Sequence, residues 1–283
     1  MSYGPSPWQQ THWDARAATN FVAGGAGSGL VVFATVEAAA RGAQPIPALL
    51  LAGLALIGLG LACVWLEIGR PWRALNVFIN LRRSWMSREA LSAAALFGAG
   101  GAALLGIGGF AWVAAALALV FVYCQARMLR AARGIPAWRE SVLTPFMVVT
   151  GLAEGAGLLV LALPLVALRA PATALAFGTL VLVRMFCWLA YRRRFARVLA
   201  PAAAATLERA GRALALAGTL VPLAAVALAV AGALPEFAAA ALLAVAGLLA
   251  ASAGAHVKVV LITRAGFNQG FALAHLPVRG ERS

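Results

Sequence analysis

The chain has 283 residues, 63 % of them hydrophobic and only 11 % charged, where soluble domains run at roughly 45–50 % apolar and about 25 % charged. A soluble fold cannot hide that much oil, so most of it must face lipid or other embedded helices. The formal charge of +14 raises nucleic acid as a partner, and the placement of the basic residues along the chain excludes it.

The opening stretch, MSYGPSPWQQTHWDARAATN, is polar and lacks a basic-then-apolar start, so no cleavable signal peptide is expected. Trp8 and Trp13 suit an interfacial belt or a docked protein. Eight apolar runs follow, at 17–40, 46–66, 88–108, 110–131, 143–164, 170–191, 212–232 and 236–262. Each is close to the ~20 residues a helix needs to cross a bilayer. None alternates as a barrel strand does. The expected fold class is therefore all-α: a polytopic integral membrane protein of eight transmembrane helices. It forms one transmembrane domain, read as two four-helix halves over 1–140 and 141–283.

In the first span, GGAGSG (Gly24–Gly29) is not followed by Gly-Lys-Ser/Thr, so a nucleotide loop is not expected. Gly25 and Gly29 have the GxxxG spacing that lets two helices approach closely. The same gap leaves room for a flat ring beside the helix, with Asn20 as a hydrogen-bond donor near its start. Glu37, toward the other end, is expected to be solvated.

The connection LEIGRPWRALNVFINLRRSWMSREAL (66–91) concentrates five arginines and two glutamates between two greasy spans. Gly69 and Pro71 stop the second helix. WRALNVFINL suits a short helix lying along the interface. Ser87 is the expected N-cap of the third helix, with Glu89 in its first turn, where the helix dipole favours an anion. Antiparallel neighbours then bring Glu67 and Glu89 to one membrane boundary, with Arg70, Arg73 and Asn76 close by. Carboxylates at that depth can exchange protons with an oxygen-bearing amphiphile entering sideways from lipid. The alternative reading of the same residues is interfacial snorkelling with ion pairs that pin the loop.

Further along, Glu154 and Arg184 are charged residues inside spans. At ~1.5 Å per residue they lie roughly 16 Å and 12 Å from the basic ends of their helices. A buried Glu154–Arg184 ion pair is expected, because an unpaired charge there is expensive. His256 lies near the end of the last span beside Lys258, either as a structural histidine or as a ligand contact. The other histidines are His12 and His275, so facing histidines for a membrane haem are lacking and the chain is expected to be haem-free. Cys63, Cys124 and Cys187 form no CxxC pair and read as small hydrophobes, so no metal site is expected.

Twenty of the 23 basic residues fall at the termini and in alternate connections, only Arg41 and Arg169 fall on the other side, and Arg184 lies within a span. This asymmetry predicts that both termini and every long connection are cytoplasmic, and it suits an even number of spans. Arginine at cytoplasmic helix ends accounts for the charge, and nucleic acid is not needed.

The strings LEIGRPWRALN, SWMSREAL and GIPAWRESVLTPF resemble the membrane anchor subunit of dimethyl sulfoxide reductase, within the polysulfide reductase membrane-subunit superfamily. In that family a histidine and a glutamate flanking the loop are implicated in menaquinol binding. Glu89 matches the glutamate, and Glu67 stands in place of the histidine, a departure that leaves a carboxylate for the proton-accepting role. The ends, PWQQTHWDARAATNFVAGGAGSGL and TRAGFNQGFALAHLPVRG, are similar to the membrane subunit of phenylacetyl-CoA:acceptor oxidoreductase. The resemblance implies a membrane anchor in the bacterial or archaeal inner membrane that reduces a quinone, menaquinone or ubiquinone. Its partners are then a four-cluster iron–sulfur subunit and a molybdenum or tungsten bis-pterin catalytic subunit, which hold the clusters and the pterin. Joined to the residues read from the sequence itself, the expected site comprises Glu67 and Glu89 for protons, with Arg70, Arg73, Asn76, Ser87, Asn20 and His256 as contacts. The two ends are expected to dock the iron–sulfur subunit. An inward-facing partner fits the acyl-CoA branch, because coenzyme A thioesters are cytoplasmic, and it equally fits a cytoplasm-facing sulfite dehydrogenase. A small-solute transporter is the rival of another class, although no inverted repeat is visible.

Overall fold

The computed structural model describes residues 4, 6–67, 71–166, 171–196 and 198–270. Arg70, Arg169, Arg197 and His275 lie outside the described residues, as does the side chain of Arg73. Among the described residues every regular element is helical, the one β-type contact being an isolated antiparallel bridge between Gln9 and Phe267.

The long helices are α1 (Ala15–Ala40), α2 (Pro47–Glu67), α3 (Trp85–Leu104) and α4 (Phe110–Ala131). A single-turn α5 (Pro136–Arg139) leads into α6 (Leu143–Ala162), α7 (Pro171–Phe195), α8 (Pro201–Ala215), α9 (Val221–Val230) and α10 (Glu236–Thr263). The expected interfacial helix is present as a 3-10 segment, Pro71–Asn80. Asp14 caps α1 by accepting the Arg16 amide at 2.7 Å, and that guanidinium and amide hold its carboxyl below the ordinary range. Between α3 and α4, Gly106 and Gly109 take left-handed φ values of 77° and 82°, a conformation open to glycine without the Cβ clash. They make the tight turn in GIGGF.

Among the described residues seven helices are long and apolar enough to cross a membrane, with α8, α9 and the turn between them forming one 30-residue rod, Pro201–Val230. The protein is multi-pass. Helix α3 has the length, but Arg88 and Glu89 and its many small residues dilute its hydropathy. The seventh apolar span begins well before the expected residue 212, because the amphipathic α8 continues into it. The junction Leu216–Leu220 is a π turn. Its cause is Pro222, which has no amide to give the carbonyl four residues back, at Gly218.

Helix α1 is the hub. In its most apolar stretch 78 % of residues are buried, against 33 % for α2 and α10, and it packs on α2, α4, α6 and α10. Glycines set the closest approach. A Cβ on Gly155 of α6 would lie 2.2 Å from the Gly29 carbonyl carbon, and one on Gly29 would lie 2.5 Å from the Gly151 oxygen. The Gly25/Gly29 spacing thus meets a matching Gly151/Gly155 pair on α6, and the room once reserved there for a flat ring is filled by helix.

At the arginine-rich end, where α1 begins and α10 finishes, an aromatic core of Phe146, Trp188, Tyr191 and Phe195 surrounds the short α5. Trp138 Nε1 donates to Leu261 O at 3.0 Å, and Tyr191 Oη donates to Ala137 O at 2.8 Å. The chain ends clasp each other there: Gln10 N donates to Gly266 O at 2.8 Å and Asn268 N to Trp8 O at 2.9 Å. Large apolar side chains such as Leu59, Phe186 and Phe237 point outward, as the wall of a lipid-embedded bundle must.

Candidate functional site

Four helices converge at the arginine-rich end: the start of α1, the end of α2, the start of α3 and the last turns of α4. Asn20 and Glu89 are buried between them. Asn20 Nδ2 donates to Glu89 Oε1 at 3.1 Å, and Gln125 of α4 donates from Nε2 to the Asn20 carbonyl at 2.9 Å while also facing the Glu89 carboxylate. Small residues admit these amides. A Cβ on Gly24 would sit 2.5 Å from Gln125 Nε2, and one on Gly60 of α2 would sit 3.0 Å from Asn20 Oδ1. Asn20 Oδ1 itself has no hydrogen-bond partner among the described residues, an uncommon state for a buried acceptor.

Against this pair lies a cavity of about 210 Å³, lined by Trp13, Ala17, Asn20, Phe21, Val64, Glu67, Met86, Glu89 and Met128. Its walls are mainly apolar, its polar groups are one amide and two carboxylates, and Met86 at its rim faces outward. Polar groups few in number on an apolar wall are what orient a flat amphiphile without solvating it.

The DMSO reductase anchor subunit (DmsC) family matches residues 20–190, more than half of the chain. The chain belongs to the DMSO reductase anchor subunit family. No curated protein matches it. Membership in the anchor family makes the chain a membrane anchor subunit associated with a molybdopterin oxidoreductase, whose catalytic subunit it joins, typically with an iron–sulfur subunit. The matched residues include Asn20, Glu67, Glu89 and Gln125, and the end of the match leaves α8, α9 and α10 outside.

Of the residues singled out in this anchor's sequence, the structure brings Asn20, Glu67 and Glu89 to one cavity. Ser87 is buried beside them, but the helix begins earlier than expected. Ser84 is the N-cap and accepts the Ser87 amide at 3.2 Å. Glu89 therefore sits past the first turn, and the helix dipole has little hold on it. Asn76 is exposed on the 3-10 segment and does not line the cavity. His256 is exposed too and lines a separate cleft with Gln9, Thr206, Arg209 and Arg264, so it does not contribute to the Glu89 pocket.

The buried ion pair also changes partner. Glu154 Oε2 pairs with Lys258 Nζ at 2.6 Å, both side chains 1 % exposed, and Lys258 further donates to Phe21 O at 3.0 Å. Arg184 instead bonds two carbonyls: Ala250 O at 2.8 Å and Gly218 O, the acceptor that Pro222 leaves free. Gly254 makes room for both, since a Cβ there would meet Glu154 Oε1 at 2.7 Å and Arg184 Nη1 at 3.1 Å. Glu37 is likewise buried and paired with Arg41 at 2.8 Å rather than solvated.

Sequence reasoning missed Gln125, Trp13 and Lys258 in these roles. Gln125 had a signal, being the one amide in the apolar run FVYCQARML. Lys258 was counted with the charges at the helix end, although HVKVV encloses it in oil. Trp13 had none, because only the clasp of the chain ends turns it onto Phe21 and Trp138, with ring centroids at 5.8 and 5.0 Å.

Proposed function

We propose that this anchor subunit passes electrons from its partners to a quinone bound in the Glu89 cavity. The observation that carries the reading is the buried Asn20–Glu89 pair on an apolar cavity at the edge of the bundle. A quinone ring enters past Met86 and lies between Trp13, Phe21 and Met128. Reduction adds two electrons, supplied by the partner's iron–sulfur clusters, and two protons. Glu89 gives a proton to one ring oxygen, Asn20 and Gln125 fix that carboxyl, Glu67 at the rim returns a proton to Glu89 from the aqueous side, and the other ring oxygen takes its proton from water at the open side of the cavity.

Orientation follows from charge: the arginine-rich end is cytoplasmic in the inner membrane. The bridge between Gln9 and Phe267 at that end supports an even number of crossings, with α3 as the eighth. The catalytic subunit then works in the cytoplasm, where coenzyme A thioesters are found, and phenylacetyl-CoA oxidation is the reading carried by the likeness of the chain ends. The complex carrying Glu89→Gln tests the site: quinone reduction should fall about 10²-fold while reduction of a soluble dye by the catalytic subunit is unchanged. Equal quinone rates would remove Glu89 from proton transfer. Membranes given phenylacetyl-CoA, sulfite or dimethyl sulfoxide in turn, with quinone redox state as readout, separate this assignment from its siblings.

A further inference from the structure

A third recess at the arginine-rich end lies apart from both the Glu89 cavity and the His256 cleft. It is a cleft of about 580 Å³ between the start of α3, the end of α4 and α5, walled by Arg83, Trp85, Arg127, Arg130, Arg133 and Arg139. No carboxylate lines it, and among the described residues none of its five arginines makes an ion pair. Like charges held this close repel unless a counter-charge joins them. The arrangement is also built rather than loose. The Trp85 ring is gripped between the guanidinium groups of Arg88 and Arg127, 4.3 and 4.4 Å from its centroid. Arg127 Nη1 is fixed on Tyr123 Oη at 2.7 Å, and Arg88 is tied to the carbonyls of Leu81 and Arg82 at 2.9 and 2.7 Å. Among the described residues the remaining guanidinium donors of the cleft have no side-chain or backbone acceptor, and guanidinium forks match phosphate oxygens.

We propose that this cleft binds the phosphate of an anionic phospholipid headgroup. The lipid is favoured over an acidic protein surface by what lies along α4. Val113, Val120 and Tyr123 are 47 %, 48 % and 41 % exposed and share a face with Arg127 and Arg130 by helical spacing. That face runs from apolar through aromatic to cationic, the order of acyl chain, glycerol and phosphate in a lipid standing beside the helix. The room and the number of arginines suit a head with two phosphates better than one.

The test uses the full chain, purified and delipidated in detergent, with binding followed by native mass spectrometry. Tetraoleoyl cardiolipin should bind far more tightly than dioleoyl phosphatidylcholine, with dioleoyl phosphatidylglycerol between them. The Arg130→Gln/Arg133→Gln double variant should weaken cardiolipin about 30-fold, while Arg130→Lys/Arg133→Lys, which keeps the charge and loses the fork, should fall between it and the unaltered chain, which separates charge from misfolding. Equal binding of cardiolipin and phosphatidylcholine would overturn the proposal, as would an unchanged glutamine variant. Inorganic phosphate displacing cardiolipin at comparable concentration would mark a free-anion site and overturn the lipid. A glutamine variant that keeps its lipid but loses the soluble subunits would assign the arginines to an acidic protein partner, and would overturn it too.

Discussion

Lys258 is a cation enclosed by helices on every side, and its Nζ answers to both the Glu154 carboxylate and the Phe21 carbonyl. Removing one member of such a pair strands the other charge, at a cost of about 3–5 kcal/mol, whereas replacing both by uncharged groups is far cheaper. Lys258→Met should therefore lower the thermal midpoint of the detergent-solubilised chain sharply, and the double variant Lys258→Met/Glu154→Gln should recover most of it. If the single and double variants melt alike, the pair is not what holds α10 to α6. Asn20 offers a functional counterpart. Asn20→Leu deletes the donor to Glu89 and leaves a buried carboxylate short of one bond, worth about 1–3 kcal/mol. In the assembled complex the apparent KM for quinone should rise about tenfold or more, with the dye-linked rate of the catalytic subunit unaffected.

Between helices the controlling quantity is backbone separation, and glycine reports it. Gly155 has the Gly29 backbone where its Cβ would go, but Gly98 and Gly101 of α3 have nothing within 4 Å. Gly155→Ala must push α1 from α6 and should destabilise the fold. Gly98→Ala and Gly101→Ala fill open space and should stabilise α3 by roughly 0.5–1 kcal/mol, the usual helical gain. Opposite shifts in thermal midpoint would establish the close approach; shifts of one sign would refute it. Pro222 makes a subtler case. An interior proline costs a helix about 3 kcal/mol relative to alanine, yet Pro222→Ala returns an amide to Gly218 O and competes with Arg184 for it. The measured gain should fall well short of that figure. The sequence made the GxxxG spacing of α1 readable, but its matching face on α6 was not, because spacing names a small surface and says nothing of what covers it.

Across the whole molecule, apolar length was enough to find seven of the expected spans among the described residues. It misplaced the start of the seventh because Glu208, Arg209 and Arg212 thin the hydropathy of α8 without breaking the helix. The candidate cavity was half readable: Glu67 and Glu89 stood out as acids at a helix boundary, and Asn20 as an amide at the end of a span. The rest depends on how distant segments fold back, which local pattern cannot carry; it put His256 in the wrong cleft and gave Glu154 the wrong partner. The proposed orientation has a direct check, since protease added outside intact cells should spare a tag on either chain end. Truncation after Gly270 retains the pairing of residues 8–10 with 266–268 and removes only the tail, so loss of co-purifying soluble subunits from that variant would assign docking to 271–283. The clasp between the chain ends also bears on biogenesis. Trp13 walls the cavity, and the segment just before it is held by Gln10 bonds to Ile262 and Gly266; a wall formed near the start of α1 is seated only after α10 has been made. A nascent or truncated chain that stops short of the end of α10, however many helices it has inserted, lacks the seat for Trp13 and carries an unfinished cavity.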